Sequence, residues 1–296
     1  MNPQPRRATA PRRDFAAMVQ TTGNHLPNRY VIYGPSGVGK TSLAAQMPSP
    51  LFLQMAGETG LETLVSAGQL PETAHLPETN DWNELMGALS WVLESDPAYK
   101  TLVIDALNGA ERLCHEYVCH RDFNDDWTDH GFMGYQRGYE IALADWRLLL
   151  AQLDAIRLKH KTTIVLLSHA KISTFKNPEG ADFDRYQPDV TPKTWALTHK
   201  WSDAVLFWNY EAQVAQVQER KAGKKGKLIG QNRVLYCQSA GAYDAKNRLG
   251  LPPEIDMGTN PLESWAALKA AIVMARKPTP SPQPQPEIQP ETGGVQ

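Results

Sequence analysis

Cysteine is scarce: the 296 residues include three, Cys114, Cys119 and Cys237. Three thiols cannot build a disulfide framework, and they fit a reducing compartment. No apolar run approaches the roughly 20 residues that cross a bilayer. The N-terminus places Arg6, Arg7, Arg12 and Arg13 among prolines, without the apolar segment of a secretory leader. These absences predict a soluble, cytoplasmic protein that makes no membrane contact. Charge of one sign is lacking too, since 30 Lys+Arg against 32 Asp+Glu leave a net −2. No global field therefore draws the chain to nucleic acid, and any such contact needs a local basic patch.

What remains is a composition of globular type, 42% hydrophobic, sufficient for one large core. The two ends differ from the middle. Residues 1–27 read as a flexible basic arm and 277–296, rich in Pro, Gln and Glu, as a disordered tail. Residues 28–276 are left for a single α/β domain. Its landmark begins with an apolar strand, Tyr30 to Tyr33. There follows Gly34-Pro35-Ser36-Gly37-Val38-Gly39-Lys40-Thr41, the pattern G-x-x-x-x-G-K-[ST]. The glycines let the backbone turn so that successive N–H groups face one hollow of phosphate size. A helix starting at Lys40, Thr41 and Ser42 turns its positive end toward the same hollow. Lys40 supplies a cation for the β- and γ-phosphates, and the Thr41 hydroxyl a ligand for Mg²⁺. The spacing predicts a nucleoside triphosphate bound with Mg²⁺ by residues 34–42.

Further along, Leu51 to Met55 reads as a strand running into a turn at Ala56–Gly60, which leaves Glu58 just beyond a strand end. In open α/β sheets that is where ligands sit, so Glu58 is a candidate for polarising an attacking water. Thr101 to Asp105 is an apolar strand ending in an acid, with Asp105 expected in the Mg²⁺ shell opposite Thr41. Cys114, His115, Cys119 and His120 fall within one helix. The i, i+5 spacing points the cysteines about 140° apart, so ordinary helix residues are expected rather than a metal site. Residues 121–138 read as an aromatic loop and Arg137–His160 as a long core helix. Thr162–Leu167 is a third buried strand, ending at Ser168-His169, where His169 can contact a γ-phosphate. Ala170–Thr194 reads as a long loop carrying Lys171, Phe175, Lys176, Arg185 and Tyr186. Cations among aromatics suit single-stranded nucleic acid, where bases stack and phosphates are neutralised. Asp182, Asp184 and Asp189 oppose that reading. The stretch 219–227 is expected as the cationic tip of a hairpin, and Lys246 and Arg248 leave one face of an extended segment.

The segments Gly34–Thr41, Glu58–Leu61, Leu102–Asp105, Leu166–Lys171 and Lys246-Asn247-Arg248 together resemble bacteriophage P-loop ATPases of the RecA core, including single-strand annealing proteins. The resemblance covers roughly residues 28–258. It implies a RecA-like fold with a mostly parallel central sheet flanked by helices and a C-terminal hairpin region. It also implies ATP and Mg²⁺ as cofactors, and a catalytic Glu58 at the end of the second strand. AAA+ ATPases usually carry that glutamate directly after the Walker B aspartate, where this chain has Ala106. Lys246 and Arg248 would act in trans on a neighbouring subunit's γ-phosphate, in a ring or filament. The implied function is DNA-stimulated ATP hydrolysis serving annealing or homologous recombination in a bacterial host cytoplasm. Single-stranded DNA is the expected partner, with a single-strand binding protein as a further one. His169 departs from the usual Gln of RecA itself. No Asn-Lys-x-Asp guanine motif is present, which favours ATP over GTP. The alternative is a nucleotide-switched assembly or loader ATPase without DNA contact.

Overall fold

The computed structural model describes residues 26–95, 98–211, 213–215, 227–229 and 232–276. The first half of the chain runs β1 (Arg29–Gly34), α1 (Lys40–Ala45), β2 (Pro50–Gln54), α2 (Gly60–Ser66), β3 (Ala74–His75), α3 (Trp82–Glu94), β4 (Thr101–Asp105), α4 (Leu107–Phe123) and α5 (Arg137–His160). The second half adds β5 (Thr163–Phe175), β6 (Phe183–Pro188), α6 (Pro192–Trp201), β7 (Ala204–Tyr210), β8 (Gln213–Ala215), β9 (Lys227–Ile229), β10 (Arg233–Tyr236), β11 (Lys246–Asn247), β12 (Glu254–Asp256) and α7 (Pro261–Ala275).

Because alternate residues of a strand face opposite ways, an all-apolar strand must be covered on both sides. In β1, Val31 and Tyr33 enter one core layer, which also holds the inner faces of α3, α4 and α5. Tyr30 and Ile32 enter the other, with residues of α1 and α7. The main sheet is ordered β12-β10-β7-β1-β5-β4-β2-β3. The strands from β7 to β3 are parallel, while β10, β11 and β12 join antiparallel. The chain leaves β1 for β2, returns through β4, and inserts β5 between β4 and β1. This mixed, mostly parallel sheet with helices on both faces is the α/β architecture expected from the sequence.

The long loop expected at 170–194 is corrected. Strand β5 continues past the core to Phe175 and pairs antiparallel with β6, and α6 begins at Pro192. The turn between the strands is held by Asp182 accepting from the Asn177 amide and by Asn177 accepting from that of Glu179. Such a two-stranded arm outside the core needs no continuous apolar pattern, which is why its sequence reads as loop. The aromatic loop at 121–138 is a small satellite core. Phe132 is fully buried among Phe123, Trp127, Tyr139 and His115, while Tyr135 is fully exposed. Strands β8 and β9 pair antiparallel, but the basic positions 219–226 of that hairpin lie outside the described residues. So do the arm at 1–25 and the tail at 277–296.

The lower edge of the sheet is tied by Arg29. Its guanidinium donates to Asp203 (2.8 and 3.1 Å) and Asp154 (3.1 Å), and its backbone N–H donates to Asp203 (2.9 Å). Asp154 also accepts from the Trp201 indole at 2.9 Å, and Arg29 lies over that ring. One side chain thereby joins β1, α5, α6 and the start of β7. Burial alone would raise the Asp203 carboxyl, but the hydrogen bonds and charge of Arg29 hold it below its ordinary value. Arg29→Ala should cost about 3 kcal/mol in urea unfolding at pH 7, the scale for orphaning a largely buried acid. The Asp203 contribution is complete above about pH 4 and is lost as pH falls through the folded-state value. The gap between wild type and variant should therefore narrow below about pH 4.

Candidate functional site

Strand register brings the expected site residues level. Gly34 at the end of β1 lies beside His169 of β5, Leu167 of β5 lies beside Asp105 of β4, and Asp105 beside Gln54 of β2. The end of each strand thus opens on the same crevice. Gly34 is required for closeness, since a Cβ there would sit 2.0 Å from the Trp208 carbonyl oxygen of β7. Beyond it Pro35 is partly buried, Ser36 and Gly37 are exposed, and Val38 is buried. Gly37 and Gly39 take φ of +78° and +114°, a region closed to most side chains.

Lys40 folds back over the loop and donates to the carbonyls of Gly34 (3.0 Å) and Pro35 (2.9 Å). Burial lowers its pKa to about 8, against the opposing charges of Asp105 and Glu58. Thr41, next to Ser42 in the first turn of α1, donates through Oγ1 to Asp105 Oδ2 at 2.8 Å. Burial raises Asp105 to about 6; the Thr41 hydrogen bond pulls the other way and the charge of Glu58 adds to the rise. The pair offers hard oxygen ligands side by side, the donor type that suits Mg²⁺. Lys40, buried with only carbonyls as hydrogen-bond acceptors, is suited to a polyanion. The residues present therefore fit ATP with Mg²⁺: Thr41 and Asp105 for the metal, and residues 34–42 for the phosphates.

Glu58 follows β2 in a turn whose backbone is fixed by Gln54, which donates through Nε2 to the Glu58 carbonyl at 2.7 Å. The Glu58 carboxylate meets His169 Nε2 at 3.4 Å. That hydrogen bond, outweighing burial, lowers the Glu58 pKa and keeps the carboxylate ionised. Gln54, buried at the penultimate level of the site, was not singled out from the sequence. Nor were Tyr210 and Arg233, which reach the loop from behind through its Gly37 and Val38 carbonyls. Only contact across the sheet marks them, so no local pattern could have found them.

The remaining expected residues lie elsewhere. Lys246 donates to the C-terminal carbonyls of α6, those of His199, Lys200 (3.2 Å) and Ser202 (2.7 Å). It serves there as a helix-end cation, with burial lowering its pKa to about 8. Arg248 is exposed, so the two are not offered together. On the arm, Lys171 donates to the Val190 carbonyl (2.6 Å), and Arg185 binds Asp244 (3.2 Å) and Ser239 (2.7 Å). Tyr186 stacks on Phe207. Lys176 is exposed and pairs with Asp182 at 2.5 Å, and Phe175 packs on Phe183 while staying partly open. Cys114 and Cys119 are buried in α4, and His120 pairs with Asp125.

Asp105 allows a test that needs no activity. With a folded value near 6 against about 3.9 unfolded, the folded protein holds the extra proton. The carboxylate therefore penalises folding increasingly as pH rises from about 4 to about 6, and fully at pH 7. Asp105→Asn should raise Tm in chelator at pH 7 by roughly 5 °C and by little at pH 4. The same substitution should remove Mg²⁺-dependent nucleotide binding.

No curated protein matches the sequence. Among solved structures the chain is similar to the crystal structure of the RadB recombinase, with a TM-score of 0.44 and 13% identity over 82% of this chain and 91% of that one. A protein-family model described as AAA domain matches residues 26–249, a span that holds β1, β4, the phosphate loop, Glu58 and the β5–β6 arm. On that match the chain belongs to the AAA-domain family and carries an AAA-type P-loop ATPase domain.

Proposed function

We propose that the protein is an Mg²⁺-dependent ATPase in which Glu58 orients the attacking water, and that its nucleotide state is read out by the β5–β6 arm on single-stranded DNA. The observation that carries this reading is the Glu58–His169 contact at the root of a strand that runs unbroken from the site into the arm. ATP and Mg²⁺, when bound, supply the scissile phosphoanhydride and neutralise its developing charge. The chain's own residues do the rest. Lys40 would exchange the Gly34 and Pro35 carbonyls for β/γ oxygens, and Thr41 and Asp105 would hold the metal. Glu58, ionised and held by His169 and Gln54, accepts a hydrogen bond from water. His169, which contacts Glu58 and lies on β5, would carry a change at the γ-phosphate position to the base of that strand.

Single-stranded DNA would meet the arm at Lys176, Phe175 and the exposed Ile172, with annealing or recombination as the use. Lys171, Arg185 and Tyr186 are committed to internal partners, so their part is to set the arm's posture. That commitment favours a second reading, a nucleotide-switched assembly or loader ATPase whose arm touches protein. For action in trans the exposed Arg248 is the candidate finger, with Lys246 anchoring its segment.

Glu58→Gln should bind ATP normally while turnover falls by about two to four orders of magnitude. Mixed with Arg248→Ala it should regain activity, because each variant keeps the half the other lacks. Turnover unchanged in Glu58→Gln would remove the glutamate from the mechanism. ATPase rates with and without single-stranded DNA separate the two readings. Stimulation that is lost in Lys176→Ala with Phe175→Ala supports DNA as the partner, and no stimulation supports assembly.

A further inference from the structure

In a trans peptide the C=O of one residue and the N–H of the next point opposite ways. A loop that turns its N–H groups inward to a phosphate must therefore turn the preceding carbonyls outward, and each needs a partner there. Five of the loop's carbonyls have such a partner among the described residues. The Gly34 and Pro35 carbonyls accept from Lys40, and that of Gly39 from the Leu43 amide at 2.8 Å inside α1. The apex carbonyls are held from outside the motif. Gly37 accepts from the Tyr210 hydroxyl at 3.2 Å, and Val38 from Arg233 Nη1 at 3.2 Å. Those two bonds orient the peptides that carry the N–H groups of Val38 and Gly39.

Arg233 is itself firmly placed. It opens β10, lies over the buried Trp208 ring at 5.4 Å, and donates through Nε to the Gly258 carbonyl (3.0 Å) and through Nη2 to Ser264 of α7 (3.4 Å). A side chain at Gly39 would intrude on it, since a Cβ there would lie 3.0 Å from Nη1. Among the described residues its hydrogen-bond acceptors are two carbonyls and one hydroxyl, none of them a carboxylate. Among the described residues no carboxylate pairs with this charge, which lies directly behind the loop.

We propose that Arg233, seconded by Tyr210, is the positioning residue that holds the phosphate loop in its binding form before nucleotide arrives, and that its charge adds to the attraction for phosphate. Strand β10 and the end of β7 thereby support the nucleotide site from behind the loop. This inference rests on the loop binding ATP, and the controls keep the two apart.

The test is calorimetric titration of the full chain with Mg²⁺ and a non-hydrolysable ATP analogue, at a temperature where every variant is fully folded, together with steady-state ATPase kinetics. Arg233→Ala should weaken binding about 10- to 100-fold, the worth of a charged hydrogen bond. KM should rise in step while kcat stays within about threefold. Arg233→Lys should recover part of the affinity, and it keeps the question answerable if the alanine variant does not fold. Ser264→Ala loosens the far end of the guanidinium without touching the loop, so it should lower Tm and leave affinity unchanged. Equal affinity in wild type and Arg233→Ala, or an equal loss in Ser264→Ala, would reduce Arg233 to a tie between β10 and α7. Absence of binding in the wild type, by contrast, would undo the ATP reading itself.

Discussion

Strand β5 shares hydrogen-bonded ladders with β1 on one side and β4 on the other, and that double pairing sets everything at the crevice. Because the register aligns Gly34 with His169 and Leu167 with Asp105, the phosphate loop and Asp105 cannot shift independently. The Thr41–Asp105 hydrogen bond then spans the gap above β5. Burial of β1, β4 and the core half of β5 on both faces keeps the register fixed. A slip of one residue would carry every apolar side chain to the wrong layer.

The electrostatics of the site follow from the same placement. Asp105 and Lys40 are buried opposite charges whose ionised forms both suffer from loss of water, so each is shifted toward neutrality. Glu58 is more exposed and faces His169, so it is shifted toward charge. The two carboxyl groups are thereby separated in character: Asp105 is shifted toward its protonated form where no cation faces it, and Glu58 stays ionised, able to accept a hydrogen bond from water. This pairing of unlike environments is how a site assigns distinct tasks to similar groups.

Much of this was legible in the residues. The phosphate loop, the strand ending in Asp105, Glu58 past a strand end and the helix 137–160 depend on local spacing or on a single apolar period, and local patterns survive without knowledge of neighbours. The β5–β6 arm was not legible, because a ribbon outside the core needs no apolar alternation and its turn, Asn177-Pro178-Glu179-Gly180, ends a stretch that reads as polar. Lys246 was legible as a cation but not as the cap of α6, and Arg185 as a cation but not as the partner of Asp244. Both meanings arise from residues about 45 to 60 positions away along the chain. Arg233 and Tyr210 belong to the same class, since a carbonyl needing a donor leaves no mark on the sequence around the donor.

The length of β5 has a mechanical meaning. From His169 to Phe175 the strand continues for six residues beyond the crevice, about 20 Å at the rise of extended backbone. Its lower half is clamped between two strands and two helical layers, while the upper half is braced by β6 and by side-chain contacts, among them Lys171–Val190, Arg185–Asp244 and Tyr186–Phe207. The clamp acts as a fulcrum. A rotation of about 5° at the crevice displaces the far end by roughly 2 Å over that length, enough to make or break a hydrogen bond. Movements too small to alter the chemistry at the base would arrive at the tip as a change of contact.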